Sequence, residues 1–239
     1  GAATASTLAE ALDKGMAGDP VSAFGSVLGL NRPVDAATAE VLCKPGLFIE
    51  AIVAPDFLPE AVEALTTRPS WKKNVRLLKV GDLQRDQGRW VYRCIEGGAL
   101  MQEADALADP EDEWMVVTDA QPTDEAMNDL RFAWEIVRHV KSNAIVLCKD
   151  QMLLGAGAGQ MSRVDSTEIA VNKAGDRVTG SVLGSDAFFP FPDSIDRAAE
   201  AGVAAIIEPG GSKKDDEVIA ACNRHGLAMI FTGRRHFKH

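Results

Sequence analysis

The fold is decided by residues 194–231, which read SIDRAAEAGVAAIIEPGGSKKDDEVIAACNRHGLAMIF. Two stretches carry apolar residues at helical spacing, and two others are short continuous apolar runs of the kind that buried strands show. The pattern predicts a helix at 194–201, a strand at 203–207, a helix at 215–224 closed by Gly226, and a strand at 227–231. Because buried strands of about five residues that alternate with short helices are typical of layered, partly parallel sheets, we predict an α/β fold.

The same patterns extend through the preceding sequence. Thr123 is expected to cap the longest helix, because Asp124 and Glu125 follow it and suit the positive end of the helix dipole. Residues 81–110 are polar and irregular apart from one strand. Further helices are predicted at 6–16, 36–42 and 58–65, and strands at 48–54, 74–80, 90–94, 114–117, 144–148, 153–154 and 181–183.

The composition is that of a packed, acidic protein. Of 239 residues, 46% are hydrophobic and 25% are charged, and 25 Lys and Arg against 35 Asp and Glu give a formal net charge of −10. This balance argues against non-specific binding to nucleic acid or to anionic membranes. No apolar run approaches the roughly 18 residues that span a bilayer. The cysteines are far apart, which favours reduced thiols in the cytoplasm over disulfides or zinc ligands: Cys43, Cys94, Cys148 and Cys222.

A glycine-rich segment, Gly155-x-Gly157-x-Gly159, leads into Arg163. Its spacing differs from the G-x-G-x-x-G of dinucleotide-binding folds, and it lacks the Gly-Lys-Ser/Thr of a P-loop. One interpretation is an anion site, in which glycine N–H groups approach the anion and Arg163 offers a bidentate fork to phosphate. The other, equally weighted, is a tight strand-to-helix turn with a surface arginine.

Two loops in the last third are further binding candidates. Residues 209–214, PGGSKK, lie between a predicted parallel strand and a helix, where anionic ligands collect in α/β sheets. A solvated strand-to-helix loop explains them equally well. Residues 185–193, SDAFFPFPD, hold three phenylalanines beside prolines. They form either a wall that stacks on a heterocyclic ring or, somewhat favoured, a loop that plugs the core.

Three other positions place polar side chains where they are unusual. Glu50 stands in an apolar strand, where a lone buried carboxylate is costly, so it either meets a partner or faces a pocket. Asn143 begins a buried strand, where it caps the turn or hydrogen-bonds a substrate amide or amine. Residues 234–239, RRHFKH, are either a frayed end or a segment docked at the sheet edge. Zinc is disfavoured, because His236 and His239 have no further His or Cys nearby.

Five segments, taken together and in order, resemble the transformylase domain of the AICAR transformylase/IMP cyclohydrolase family. The resemblance runs along the whole chain, and five separate motifs make coincidence improbable. The segments are DPVSAFG at 19–25, VKSNAIV at 140–146, GAGAGQMSR at 155–163, SDAFFPF at 185–191 and RHFKH at 235–239.

The resemblance implies an activity and an architecture. The activity is formyl transfer from 10-formyltetrahydrofolate, the co-substrate, to the 5-amino group of AICAR in purine biosynthesis. The architecture is two cytidine-deaminase-like α/β lobes with layered sheets, at about 1–120 and 121–239, in a cytoplasmic homodimer with active sites at the subunit interface. Nucleic acid, membrane and transition metals are not expected as partners, and the resemblance leaves a monovalent cation open.

The resemblance also assigns residues to the two substrates. Those expected around the AICAR nucleotide are Gly25, Glu50, Asn143, Arg163, Phe188 and Arg235. Those expected to face the folate are Val164, Asp193, Ser212 and Lys213. Asn143, Asp186 and His239 are expected to support catalysis.

One part of the family pattern falls outside the sequence. The family's catalytic pair lies in a Lys-His-x-x-Pro-x-Gly segment, and Gly1 resembles its last glycine, which places the general base and the oxyanion-stabilising Lys before residue 1. The domain is therefore expected to be truncated at its N-terminus, without the IMP cyclohydrolase domain, and to have little or no turnover. The alternatives are a non-catalytic nucleotide-binding or dimerisation module and, on the glycine segment alone, a nicotinamide dehydrogenase.

Overall fold

A computed structural model of the protein describes residues 1–83 and 90–238. The helices are α1 (Leu8–Gly18), α2 (Ala36–Leu42), α3 (Pro59–Thr67), α4 (Asp124–Val137), α5 (Arg163–Ala174), α6 (Asp193–Glu200) and α7 (Asp215–His225). The strands are β1 (Ser26–Gly29), β2 (Ile49–Ala54), β3 (Arg76–Lys79), β4 (Trp90–Ile95), β5 (Gly98–Glu103), β6 (Met115–Val116), β7 (Ile145–Lys149), β8 (Met152–Gly157), β9 (Val182–Ser185), β10 (Ala205–Glu208) and β11 (Ala228–Phe231). Short 3₁₀ turns lie at Glu111–Glu113 and Gly175–Val178.

The largest sheet has six strands in the order β6-β11-β10-β9-β7-β8. Strands β9, β10 and β11 run parallel, with Ala205 opposite both Val182 and Ala228. Strand β7 is antiparallel to β8 and β9, and β6 is antiparallel to β11. The predicted α/β fold with a partly parallel sheet is confirmed.

Helices cover both faces of this sheet, which explains why its strands are continuously apolar in sequence. On one face, Val146 and Ile207 pack with Trp134 of α4. On the other face, Leu147 and Ile206 join the core formed with α5, α6 and α7. Successive strand residues point to opposite faces, so both sets are buried only when both faces are covered.

A smaller, three-stranded parallel sheet lies in the first third of the chain, in the order β1-β2-β3. Its core includes Leu42, Ile49, Ile52, Leu65 and Trp71, which helices α1, α2 and α3 help to enclose. The predicted helices and strands of this region are present, with ends shifted by a few residues, and the predicted strand 48–54 corresponds to β2.

Local capping explains where several helices begin and end. The Thr123 side chain accepts a hydrogen bond from the Ala126 N–H, so the predicted N-cap of α4 is confirmed. Ser162 caps α5 in the same way through the Asp165 N–H. Gly226 has φ +69°, in the left-handed region, and ends α7 as the sequence predicts.

One element of the region 81–110 was missed by the sequence prediction. Strand β4 pairs with β5 in an antiparallel hairpin that turns at Gly97, whereas only a strand at 90–94 is expected and the rest is expected to be irregular. Every residue of both strands is solvent-exposed in the structure, so burial imposes no alternating pattern on the sequence. Residues 84–89 of this region lie outside the described residues.

Within residues 1–83 and 90–238, none of the helices combines the length and the apolar character needed to cross a membrane.

Candidate functional site

A cavity of about 520 Å³ opens between the N-terminal ends of α5 and α6 and the segment that follows β9. This is the carboxyl edge of the parallel strands, where α/β folds bind ligands. Half of the ten residues assigned to the two substrates line it. They are Asn143, Arg163, Val164, Phe188 and Asp193.

The Arg163 guanidinium is held inside the wall of this cavity. Its side chain is 7% exposed, and Nη1 donates to Asp186 Oδ1 at 2.5 Å and to Ser185 Oγ at 3.0 Å. Nη2 donates to Asn143 Oδ1 at 3.0 Å. These bonds use both protons of Nη1 and one of Nη2, so only Nη2 and Nε have donor capacity left for a ligand. The expected surface arginine is therefore wrong, because the buried carboxylate of Asp186 draws Arg163 inwards.

Asp186 is the group that organises this wall. Its side chain is fully buried, Oδ1 also accepts from the Ala144 N–H at 3.1 Å, and Oδ2 accepts from Ser142 Oγ. Buried carboxylates need several donors of this kind to offset their lost hydration. Asp186 thus supports the site by fixing Arg163, and Ser142 and Ser185 are partners that the sequence analysis missed.

Asn143 lies just before strand β7 and forms hydrogen bonds with the loop that precedes α5. Its Nδ2 donates to the carbonyl oxygens of Gln160 and Met161, at 2.9 and 3.2 Å, and its own carbonyl oxygen accepts from Ser166 Oγ at 2.9 Å. The Ser142–Asn143 peptide bond is cis. Asn143 therefore both caps the turn and lines the cavity, so the two interpretations of this residue are compatible.

The glycine-rich segment has a packing role that differs from the anion-site interpretation. Strand β8 continues through Gly155 and Gly157, so these glycines lie in the ladder with β7. A Cβ on Gly155 would lie 2.2 Å from the Ala170 carbonyl oxygen of α5, and one on Gly157 would lie 1.9 Å from that of Ser166. Both glycines let α5 pack against β8, and Gly159, with φ +67°, makes the turn. The strand-to-helix turn is therefore confined to the residues after Gly157, and packing against α5 accounts for Gly155 and Gly157 without a dinucleotide.

The aromatic loop is divided between the core and the cavity. Phe189 is fully buried in the core of the large sheet. Phe188 and Phe191 line the cavity, and Phe191 is 56% exposed. The loop therefore buries the Phe189 ring in the core and places Phe188 and Phe191 at the cavity.

The loop at 209–214 is occupied by the protein's own carboxylates. Gly210 N donates to Glu208 Oε2 at 2.8 Å, and the N–H groups of Gly211 and Ser212 donate to Asp215 at 2.8 and 2.9 Å. Asp215 begins α7 and so fills the position that an anion would take at the helix N-terminus. These contacts favour the strand-to-helix loop over the anion site, and Ser212 and Lys213 are not among the residues that line the 520 Å³ cavity.

The remaining predicted residues lie in other places. Gly25, with φ +78°, lines a second cavity, of about 690 Å³, near residues 1–8 and β1. Glu50 is not the buried carboxylate that was expected, because its side chain is 42% exposed, but it has a partner in Arg76, whose Nη1 lies 3.0 Å from its Oε2. Arg235 is exposed, and its guanidinium carbon lies 5.6 Å from the centroid of Phe237, which lines the 520 Å³ cavity.

The end of the chain is docked as far as it is described. The His236 N–H donates to the Asp186 carbonyl oxygen at 3.0 Å, and the Ser142 N–H donates to that of Lys238 at 2.9 Å. The docked alternative is therefore correct for residues up to 238, and His239 lies outside the described residues. Across the described part of the chain, no group of three or more His, Cys, Asp and Glu is arranged to hold a metal ion.

Comparison with known proteins gives matches along the whole chain. A family model described as the AICARFT/IMPCHase bienzyme matches residues 1–173. The bifunctional purine biosynthesis protein PurH of Rhodopirellula baltica is 63% identical over 239 residues, which are all of this chain and 46% of that protein. PurH of Bacillus subtilis is 47% identical with the same coverage, and PurH of Persephonella marina is 49% identical over 242 residues. The chain spans about half the length of these curated relatives. The family model covers more than half of the chain, and the chain therefore belongs to the AICARFT/IMPCHase bienzyme family.

Proposed function

We propose that this chain is the AICAR transformylase domain of its family, taking part in formyl transfer from 10-formyltetrahydrofolate to the 5-amino group of AICAR. The observation that carries the proposal is the cavity in which Asn143, Arg163, Val164, Phe188 and Asp193 converge above the buried Asp186. Family membership supports the same assignment.

The chemistry of the cavity suits an aminoimidazole carboxamide. Phe188 offers a ring face for stacking, and the remaining donor capacity of Arg163 suits an amide oxygen or a phosphate oxygen. The Asp186 carboxylate neutralises part of the Arg163 charge, so the guanidinium acts mainly as an oriented hydrogen-bond donor. Pre-oriented donors of this kind need no rearrangement when the ligand binds.

Formyl transfer requires two further functions. The amine is weakened by conjugation and must lose a proton as it attacks the formyl carbon, and the developing oxyanion needs a donor. The proposal assigns both to the Lys-His pair of the segment that the family resemblance places before Gly1. Val164 and Asp193, which line the cavity, are assigned to the folate.

The proposal includes the organisation that the resemblance implies. The chain would form two deaminase-like lobes, at about 1–120 and 121–239, and would dimerise in the cytoplasm with the active site completed at the interface. Four of the assigned residues do not line the 520 Å³ cavity: Gly25, Glu50, Ser212 and Lys213. In such a dimer they would contact a ligand that is bound in the cavity of the partner subunit.

Titration of AICAR into the protein, followed by calorimetry, tests the proposal. Arg163→Ala is expected to weaken AICAR binding more than about tenfold, because a charge-assisted donor is worth more than ~1.4 kcal/mol. Arg163→Lys keeps the charge but loses the fork, and it is expected to weaken binding without leaving Asp186 unpaired.

Arg224→Ala is the matched control, because Arg224 is an exposed arginine on α7 whose guanidinium lies 3.6 Å from Asp196. It is expected to bind AICAR as the unmodified protein does. Unchanged affinity in a folded Arg163→Lys protein, or no affinity of the unmodified protein for AICAR, would count against the proposal.

A further inference from the structure

The C-terminal segment reaches the cavity through the residue that follows His236. Phe237 lines the cavity, and Arg235 stacks its guanidinium near the Phe237 ring. Between them, the His236 backbone N–H binds the carbonyl oxygen of Asp186, the residue that holds Arg163. The position of His236 therefore sets the position of two side chains at the edge of the site.

The side chain of His236 is bound by two carboxylates and is 3% exposed. Its Nδ1 lies 2.6 Å from Asp105 Oδ2, and its Nε2 lies 2.7 Å from Asp109 Oδ2. With one carboxylate at each ring nitrogen, the imidazole is held in a single orientation.

Asp109 is a buried acceptor that several groups share. Its Oδ2 also accepts from Trp134 Nε1 at 2.7 Å and lies 3.5 Å from Arg138 Nη2. Arg138 Nη2 is 3.2 Å from His236 Nε2, which is farther than Asp109. The shorter of the two contacts of Nε2 is therefore the one with Asp109.

The two carboxylates belong to one loop, residues 105–109, that lies far from His236 in sequence. The loop is also tied to α4, because Arg138 Nη1 donates to the Leu107 carbonyl oxygen at 2.9 Å. The Trp134 ring packs edge-on against the imidazole, with centroids 4.8 Å apart. His236 thus connects a loop outside the cavity to the segment that forms the cavity wall.

We propose that His236 is a positioning residue, which, held between Asp105 and Asp109, fixes residues 235–237 at the cavity and so sets its affinity for the nucleotide. The identity of the nucleotide rests on the proposed function. A positive Arg235 and an aromatic Phe237, ordered in advance, spare the ligand the entropic cost of arranging them on binding.

Three variants separate positioning from general stability. His236→Gln retains a side-chain N–H donor but cannot contact both carboxylates as the two ring nitrogens do. Asp105→Asn changes only the half-exposed partner, whose side chain is 50% exposed, and leaves the Asp109 contact in place. His225→Gln is the matched control, because His225 Nε2 also binds an aspartate, Asp196, at 2.8 Å, but on the exposed end of α7.

Amide hydrogen exchange of the full chain tests the docking without any ligand. Two amides report on the docking of the C-terminal segment: the Ser142 amide donates to the Lys238 carbonyl oxygen, and the amide of residue 236 donates to that of Asp186. In His236→Gln both are expected to exchange about tenfold faster, which corresponds to ~1.4 kcal/mol of lost local protection. The amides of β10 are expected to keep their rates, and His225→Gln is expected to match the unmodified protein throughout.

Calorimetry with AICAR as the probe tests the consequence for binding. We expect affinity about tenfold weaker in His236→Gln, about threefold weaker in Asp105→Asn and unchanged in His225→Gln.

Unchanged exchange at Ser142 and residue 236 in both site variants would overturn the docking role. Faster exchange with unchanged AICAR affinity would overturn the positioning role and leave the proposed function standing. If the unmodified protein does not bind AICAR, the proposed function and the claim about affinity both fall, and exchange alone decides the docking. If His236→Gln does not fold, Asp105→Asn decides by the same criteria.

Discussion

The Arg163 guanidinium and the Asp186 carboxylate form a buried ion pair beside the cavity, with Asn143, Ser142 and Ser185 as further hydrogen-bond partners. Such a pair contributes little net stability, because desolvation offsets most of the attraction, but removing one partner is costly. Its value here is orientation: the pair fixes a donor at the wall of the cavity. His236 is likewise held in one orientation, by its contacts with the Asp105 and Asp109 carboxylates.

Glu208 is a buried carboxyl group at the carboxyl end of β10 that these networks do not include. Burial raises its pKa from 4.5 to about 8, although the Gly210 N–H bond to Oε2 opposes the shift. Within the described residues its Oε1 has no hydrogen-bond partner. Because the pKa is higher in the folded state, the associated stability is complete below pH 4.5 and is lost as the pH rises towards 8.

Glu208→Gln is expected to stabilise the protein at alkaline pH. The glutamine keeps an acceptor for the Gly210 N–H but has no charge to bury. The difference in free energy of unfolding between the two proteins should be near zero at pH 4.5 and grow by up to about 1.4 kcal/mol per pH unit until the pH reaches about 8. Urea unfolding at several pH values measures it. Glu217→Gln, a change at an exposed residue of α7, is the control, and equal pH dependence in both variants would contradict the prediction.

At the scale of elements, burial decided what the sequence could predict. Strands of the large sheet are covered on both faces, so their apolar runs are visible in sequence, as at 203–207 and 227–231. The β4–β5 hairpin is exposed on both faces and gives no such signal. Sequence patterns alone indicated Asn143, Arg163 and the loop at 185–193, and the resemblance added Val164. The roles of Ser142 and Ser185 were missed, because they depend on contacts with Asp186 and Arg163 that spacing does not reveal.

The glycine segment illustrates the same limit. Gly155 and Gly157 lack side chains, so the pattern predicts a loop, although the chain is a strand there. Glycine is required at both positions because the backbone of helix α5 packs directly against them. This distance between α5 and β8 is visible only in the folded structure.

Gly157→Ala is expected to destabilise the protein by about 3 kcal/mol or more, because the new Cβ would meet backbone atoms of α5 that cannot move alone. Shifting α5 would also displace Arg163 at its N-terminal end, so AICAR affinity should fall with stability. Gly29→Ala in β1 is the matched control, since a Cβ there has no neighbouring atom within 4 Å. Denaturant unfolding compares the two, and equal effects would disprove the packing role of Gly157.

At the scale of the whole molecule, the first third of the chain is joined to the large sheet mainly through α1 and the residues before it. Leu153 N donates to the Ala2 carbonyl oxygen at 2.9 Å, and Lys14 Nζ donates to that of Asp150 at 2.6 Å. Arg177 reaches across from the turn after α5. The smaller sheet therefore depends on polar contacts at one helix as well as on its own core.

Arg177 closes the C-terminal end of α1. Its Nη1 donates to the Ala17 carbonyl oxygen and its Nη2 to that of Gly18, both at 2.9 Å. A cation at this position satisfies carbonyl groups that have no partner within the helix and interacts favourably with the helix dipole. Arg177→Ala is expected to lower the free energy of unfolding by about 1–2 kcal/mol, since these are hydrogen bonds from a charged donor.

The effect should be uneven across the molecule. Because α1 packs through Leu12 into the core of the smaller sheet, amides of β2 are expected to exchange faster in Arg177→Ala, while amides of β10 keep their rates. Arg224→Ala, which removes an exposed ion pair on α7, should change stability by less than about 0.5 kcal/mol and leave β2 unaffected. Equal acceleration in β2 and β10 would show that the two sheets open as one unit, and that Arg177 stabilises the whole fold and not its junction with α1.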